Sequence, residues 1–132
     1  MKEWVKNWIA SKNPSKQRKY RHNAPLHIRH KLMHVHLSPE LRTKYDFRQF
    51  GVRKGDTVLI MRGDHKKKSG KVSRVMLKVE KVYIEGIVTI KKDGSTVQVP
   101  IKPSNLMITN LDLEDKRRKA KLEFKTKGKE KK

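Results

Sequence analysis

Cysteine is absent from the 132-residue chain. That excludes disulfides and thiolate chemistry, and it fits a reducing compartment. Acidic residues are scarce: 13 Asp and Glu stand against 35 Lys and Arg, a formal net charge of +22. Such an imbalance opposes compaction through self-repulsion and favours anionic partners. Hydrophobic residues make up only 34% of the chain, so a large core is not expected, and one small domain with extensions is. No apolar run is long enough to span a bilayer, and the amino terminus lacks the apolar segment of a secretory signal. A nucleophile elbow, a phosphate-binding P-loop, zinc-ligand spacing and an acid–base pair are all missing, so no catalysis, small-molecule substrate or cofactor is expected.

What is present is positive charge along the whole length. Residues 1–50, 51–111 and 112–132 carry net charges of +9, +8 and +5. A basic tail on a neutral domain would suggest a tether; here every region favours an anionic surface.

The chain is organised around residues 53–72. Thr57 to Met61 is a β-branched, apolar run that suits a buried strand. Gly63 stops it, a charged stretch from Asp64 to Ser69 follows, Gly70 ends the loop and Val72 restarts the apolar pattern. Glycine at both ends is expected to supply positive φ in the turns. The hairpin tip then gathers Lys66, Lys67, Lys68 and Lys71. Four neighbouring cations repel one another, and a nearby polyanion or full solvation relieves them.

Upstream, Met1 to Ala10 predicts a short amphipathic helix with Trp4, Val5, Trp8 and Ile9 on one face. That face suits packing on this or a neighbouring protein, or stacking on nucleobases. Ten residues bury too little area for a membrane anchor. Lys12 to Asn23 has almost no apolar residue and is expected to order only on RNA. Its basic residues Lys16, Arg18, Lys19, Arg21 and His22 surround Tyr20, with charge for phosphate and a ring for stacking. Ala24 to Leu37 predicts one helix capped by Asn23, with His27, His30 and His34 on one face. No cysteine or carboxylate completes a metal site there, and none is expected. Ser38 and Pro39 open a second short helix to about Tyr45, with Leu41 and Tyr45 spaced to dock on the domain.

Residues 51–111 carry the predicted domain. Strands are expected at 57–61, 72–79, with a bulge near Ser73–Arg74, 81–90, kinked at Gly86, 97–101 and 106–108. Lys92–Asp93–Gly94–Ser95 marks a hairpin turn, and Val97, Val99 and Ile101 are expected to point inward. About five short strands favour a small closed barrel, because closure removes exposed edges. After it, Leu111 to Leu122 predicts a turn of helix with Asp112, Glu114 and Asp115 near its amino end, and Phe124 onward a disordered basic tail.

The stretch Lys54–Gly55–Asp56, the apolar run to Met61, Arg62–Gly63, the basic loop and Gly70–Lys71–Val72 resembles a KOW motif, with Lys67 where many members carry a loop glycine. Three further passages, Ser15–Lys19, Asn23–Arg29 with Lys31–Met33, and Pro103–Leu111, together with Val52–Asp56, resemble the archaeal and eukaryotic L twenty-four family of large-subunit ribosomal proteins. The first dozen residues lie outside that resemblance. It implies a mainly β fold built on an SH3-like five-stranded barrel with the KOW motif, an amino-terminal helical or extended basic arm (1–50) and a basic carboxy-terminal tail (112–132). It implies binding to large-subunit ribosomal RNA, early action in subunit assembly, a place near the polypeptide exit tunnel, and a cytoplasmic location in the large subunit. Neighbouring ribosomal proteins are implied partners; a membrane and a homo-oligomer are not expected. The expected RNA contacts are the arm residues from Lys16 to His22 named above; Arg29 and Lys31; Arg53 and Lys54; Arg62, Gly63, Lys66, Lys67, Lys68, Gly70, Lys71 and Arg74 on the hairpin; and Ser104 and Asn105. Within that set Arg53, Arg62 and Arg74 can bind phosphate in a bidentate fashion. The competing readings are a transcription-associated KOW module that binds polymerase or nucleic acid, and a nonspecific DNA binder.

Overall fold

Asn13 and Pro14 start the first helix. The computed structural model describes residues 4–5 and 11–130; the predicted helix over 1–10 and the final two lysines fall outside the described residues, Trp4 and Val5 excepted. Asn13 accepts a hydrogen bond from the Ser15 N–H at 2.9 Å, and Pro14 occupies the first turn of helix α1, Pro14–Asn23. The segment expected to order only on RNA is therefore already helical. A side-chain cap and a pre-set proline φ start the helix, and Gln17 Nε2 donates to Ser11 O at 2.6 Å. No α1 residue is buried.

The single helix expected over 24–37 is two elements: helix α2, Leu26–Leu32, and strand β1, His34–Leu37. Pro25, not Asn23, stands at the α2 amino terminus. The strand wins because Val35 and Leu37 are buried and His36 is exposed, a period of two. Its backbone is also paired on both sides, antiparallel to β2 (Gln49–Gly51) and parallel to β8 (Leu106–Asn110). His34 thus leaves the face of His27 and His30. Among the described residues no group of three His, Cys, Asp or Glu side chains could hold a metal.

Ser38 caps helix α3, Pro39–Tyr45, accepting from the Leu41 N–H at 3.4 Å. Leu41 and Tyr45 pack on the core, as their spacing predicts. Strands β3 (Thr57–Ile60), β4 (Ser69–Met76) and β5 (Lys81–Ile84) complete a six-stranded sheet in the order β2-β1-β8-β3-β4-β5. Strands β6 (Val88–Ile90) and β7 (Thr96–Gln98) form a separate hairpin. Eight strands are described where five were expected. Two come from residues 34–51, assigned by sequence to the arm, and the expected 81–90 strand breaks at a turn through Gly86 into β5 and β6. The β4 register shifts between Val72 and Arg74, where the bulge was expected. Val97 is exposed rather than inward, whereas Ile101 is buried and bridges to Val82.

Val58, Ile60, Val82, Ile84, Leu106 and Ile108 form the centre of the core. Helix α4, Lys116–Glu130, covers one side of it through the fully buried Leu122. The segment expected as a disordered tail from Phe124 is thus helical as far as Glu130. Asp115 starts the helix: its carboxylate accepts from the Arg117 N–H at 2.8 Å, a favourable position for negative charge. Among the described residues no helix is long and apolar enough to cross a membrane.

Candidate nucleic-acid interface

The loop between β3 and β4 closes on its own backbone. Lys67 N–H donates to Ile60 O and Ile60 N–H to Lys68 O, both at 2.9 Å; Lys66 N–H donates to Gly63 O at 3.0 Å. Gly63 takes φ +98°, which only glycine adopts cheaply. Lys67 itself sits at φ +70°, the left-handed conformation that a glycine would favour. Gly70 does not supply a second positive φ. It lies inside β4, and a Cβ there would meet Ile84 Cγ2 at 2.6 Å and the Glu85 carbonyl at 2.8 Å. That glycine is required for close approach of the strands, a different reason from the one expected. With the backbone closed inward, Arg62, Lys66, Lys67, Lys68 and Lys71 are left exposed.

Met61 N–H donates to Asn105 O at 2.7 Å, tying the loop to a 3-10 turn over Pro103–Asn105. Ser104 and Asn105 are thereby brought beside the basic loop. Arg74 is exposed beyond the bulge, next to Ser73, whose hydroxyl donates to Tyr83 O at 3.2 Å.

The arm residues divide by occupation. Lys16, Arg18, Lys19, His22 and Lys31 are exposed. Tyr20 is half-buried, its ring 5.4 Å from that of Trp4. Arg21 pairs with Glu80 at 3.3 Å, joining α1 to the turn before β5. Arg29 donates to Ala24 O at 2.9 Å and to His22 O, closing the carboxy end of α1. Arg53 pairs with Asp115 and holds that carboxyl below the usual carboxylate range, with the Arg117 N–H adding to the effect. Arg21 and Arg53 thus have acidic partners yet stay exposed, Arg29 bonds the backbone, and Lys54 beside Arg53 is exposed.

Sequence reasoning missed the carboxy-terminal helix as part of this surface. Asp56, fully buried, accepts from both Nη atoms of Arg118 at 2.7 Å, from the Arg53 N–H at 2.8 Å and from the Asp112 N–H at 3.0 Å. Arg118 also donates to Asp112 O and Gly51 O. The Lys54–Gly55–Asp56 turn is thus fixed to α4. A cleft of about 470 Å³ opens beside this joint, with Arg53 and Lys54 on one side and Arg117 and Lys121 on the other. His34 lines it too; burial, then Lys121 and Lys31, push its pKa down. The sequence signal was the acidic residues Asp112, Glu114 and Asp115 ahead of the Lys–Arg–Arg–Lys run at 116–119, which predicts a turn of helix but not that Leu122 is buried.

Residues 11–125 match the model of a family described as ribosomal proteins, L26 in eukaryotes and L twenty-four P in archaea. The chain is 48% identical to the large ribosomal subunit protein uL24 of Methanospirillum hungatei over 114 residues, covering 86% of this chain and 95% of that one. It is 51% identical over 110 residues to the protein of the same name from Methanothrix thermoacetophila, and 49% identical over 110 residues to that from Methanosarcina barkeri; each match covers 83% of this chain and 95% of the relative. The matched stretch contains all eight strands, the closed basic loop and the Asp56–Arg118 joint, and the chain belongs to this family of eukaryotic and archaeal ribosomal proteins.

Proposed function

We propose that the chain is a structural, non-enzymatic component of the cytoplasmic large ribosomal subunit and that it binds large-subunit ribosomal RNA. The observation that carries the reading is the β3–β4 loop: its backbone is saturated inward while Arg62, Lys66, Lys67, Lys68 and Lys71 face out. Such a loop presents charge to phosphates without first losing backbone freedom. Ser104 and Asn105 extend the same surface through the Met61–Asn105 bond. The exposed basic residues of α1 and Lys31 form a second contact along the amino-terminal arm. Phosphate contacts supply affinity and the rigid sheet supplies shape.

The finer reading follows the resemblance: the sheet acts as an SH3-like KOW barrel, the protein joins the subunit early in assembly, and it lies near the exit tunnel among neighbouring ribosomal proteins. Sedimentation of a native lysate, with a high-salt wash of the large-subunit fraction, tests the core of this. Recovery with the large subunit after a moderate wash is expected. Recovery in light fractions or with polymerase would replace the reading with the polymerase-binding module.

A further inference from the structure

We propose that the cleft between the turn before β3 and helix α4 takes one unpaired ribonucleotide, its base against an apolar floor and its phosphate on a cationic rim. The inference rests on the RNA-binding reading and adds a site to which the β3–β4 loop contributes no residue.

The floor is Met33, Phe50, Val75 and Leu77. Val75 is the penultimate residue of β4 and Leu77 lies in the turn that follows; both line the cleft and both are only half-buried. The rim has two sides. Lys54 is held by the turn that Asp56 anchors, and Arg117 and Lys121 are four apart on α4, on one helix face. Like charges at that spacing repel, and no carboxylate lines the cleft to relieve them. The Lys121 ammonium lies 5.9 Å from the Phe50 ring centroid, and the Arg118 guanidinium 5.4 Å. Cationic groups are thus already set against the aromatic wall. The volume of about 470 Å³ falls in the range of roughly 300–1,000 Å³ common to small-ligand sites.

A paired duplex does not fit this chemistry. Its phosphates could meet the rim, but its bases are stacked inside and nothing would reach the floor. A solvated cationic patch would have no apolar floor at all. An unstacked nucleotide presents a flat apolar face and an anion together, which is how proteins read single-stranded RNA.

The test is nuclear magnetic resonance of the full chain with labelled methyl groups, titrated separately with tetra-adenylate, a self-complementary RNA duplex and inorganic phosphate. Tetra-adenylate is expected to shift the methyls of Met33, Val75 and Leu77 through the ring current of the bound base, and neither other probe is. Lys121→Glu and Arg117→Glu should each weaken tetra-adenylate by about fivefold or more, the weight of one phosphate contact. Lys92→Glu, an equal charge change on the β6–β7 turn, should not. Both rim side chains are exposed, so unchanged amide spectra verify the fold. If the duplex binds but tetra-adenylate leaves the three methyls unmoved, the cleft inference fails and the RNA reading stands. If no RNA binds, the reading itself fails. Equal shifts of the three methyls by inorganic phosphate or by the duplex would overturn the unpaired nucleotide in favour of a simple anion site.

Discussion

Asp56 and Arg118 meet in the interior, 62 positions apart in sequence, with two Nη–Oδ distances of 2.7 Å and side chains that are 0% and 4% exposed. Both N–H groups on Arg118 Nη1 and both on Nη2 have acceptors, and only Nε lacks one. The two Asp56 oxygens also receive two backbone N–H groups. A buried ion pair offsets its desolvation only when its remaining polar groups are bonded in this way. Replacing Arg118 with methionine leaves a buried carboxylate without its counter-charge. Chemical denaturation should show a loss of roughly 3–5 kcal/mol. A loss below about 1 kcal/mol would show that water or another cation takes the place of Arg118.

Alanine at Lys66, Lys67 and Lys68 together should leave the fold intact, because all three are exposed and their backbone bonds do not need the side chains. Affinity for large-subunit ribosomal RNA should fall, and the slope of log affinity against log salt should become shallower by about three, one per lost phosphate contact. Filter binding across a salt series checks it. An unchanged slope moves the contact to another face.

Gly70→Ala places a methyl group 2.6 Å from Ile84 Cγ2 and 2.8 Å from the Glu85 carbonyl. The backbone oxygen cannot move without opening the β4–β5 ladder. A loss of about 1–3 kcal/mol is expected, read as a lower denaturation midpoint. Gly63→Ala meets no atom within 4 Å, and its cost comes only from φ +98°. The two substitutions therefore separate crowding from backbone strain at the two ends of one loop.

His34 gives the fold a pH dependence. Its folded pKa lies below the ordinary 6.5 because burial, Lys121 and Lys31 all disfavour the charged ring. The unfolded chain therefore takes up the proton first as pH falls. Stability from this group is complete above the ordinary value and is lost progressively below it, as pH descends toward the folded pKa. Denaturation midpoints measured from pH 7.5 down to about pH 5.5 should decline, and the decline should shrink in His34→Gln. An equal decline in both proteins would assign the effect to another group.

Trp4 sits against Tyr20 at 5.4 Å and edge-on to His27 at 6.5 Å, so it touches both amino-terminal helices. Such aromatic pairs contribute about 0.5–1.5 kcal/mol each. Trp4→Ala should speed amide exchange across α1 and leave the central sheet amides as slow as before. Unaltered α1 exchange would mean that the Asn13 cap and the Arg29 bonds suffice to hold the helix.

Local chemistry was legible in the sequence wherever a few neighbouring residues decide the outcome. Ser38 with Pro39 started a helix, the Ser73–Arg74 offset became a bulge, and Lys92–Ser95 became a turn. Residues 34–37 were not legible, because Val35 follows Leu32 by three and Leu37 follows Met33 by four, so the apolar pattern of the preceding helix continues through them. The choice is made by β2 and β8, which bond that backbone from both sides. The start of the carboxy-terminal helix was legible from the acidic residues ahead of Lys116, but its run past Leu122 was not. Its composition is that of a solvated tail, and only Leu122 and Arg118, reaching partners far back in the chain, fix it to the sheet. On the candidate site, the exposed lysines were readable from charge alone. The internal duties of Arg21, Arg29 and Arg53 were not, since each depends on a partner placed by the tertiary fold.

The parallel pairing of β1 with β8 sets an order of events in synthesis. His36 and Leu37 can find their partners, Met107 and Ile108, only after nearly the whole sheet-forming chain exists. The Asp56 carboxylate then waits longer still for Arg118. Until those segments are made, β1 lacks its β8 partner and Asp56 lacks the counter-charge of Arg118. Closure of so non-local a structure is intrinsically slow. Completion of the fold thus reports completion of the polypeptide through residue 118.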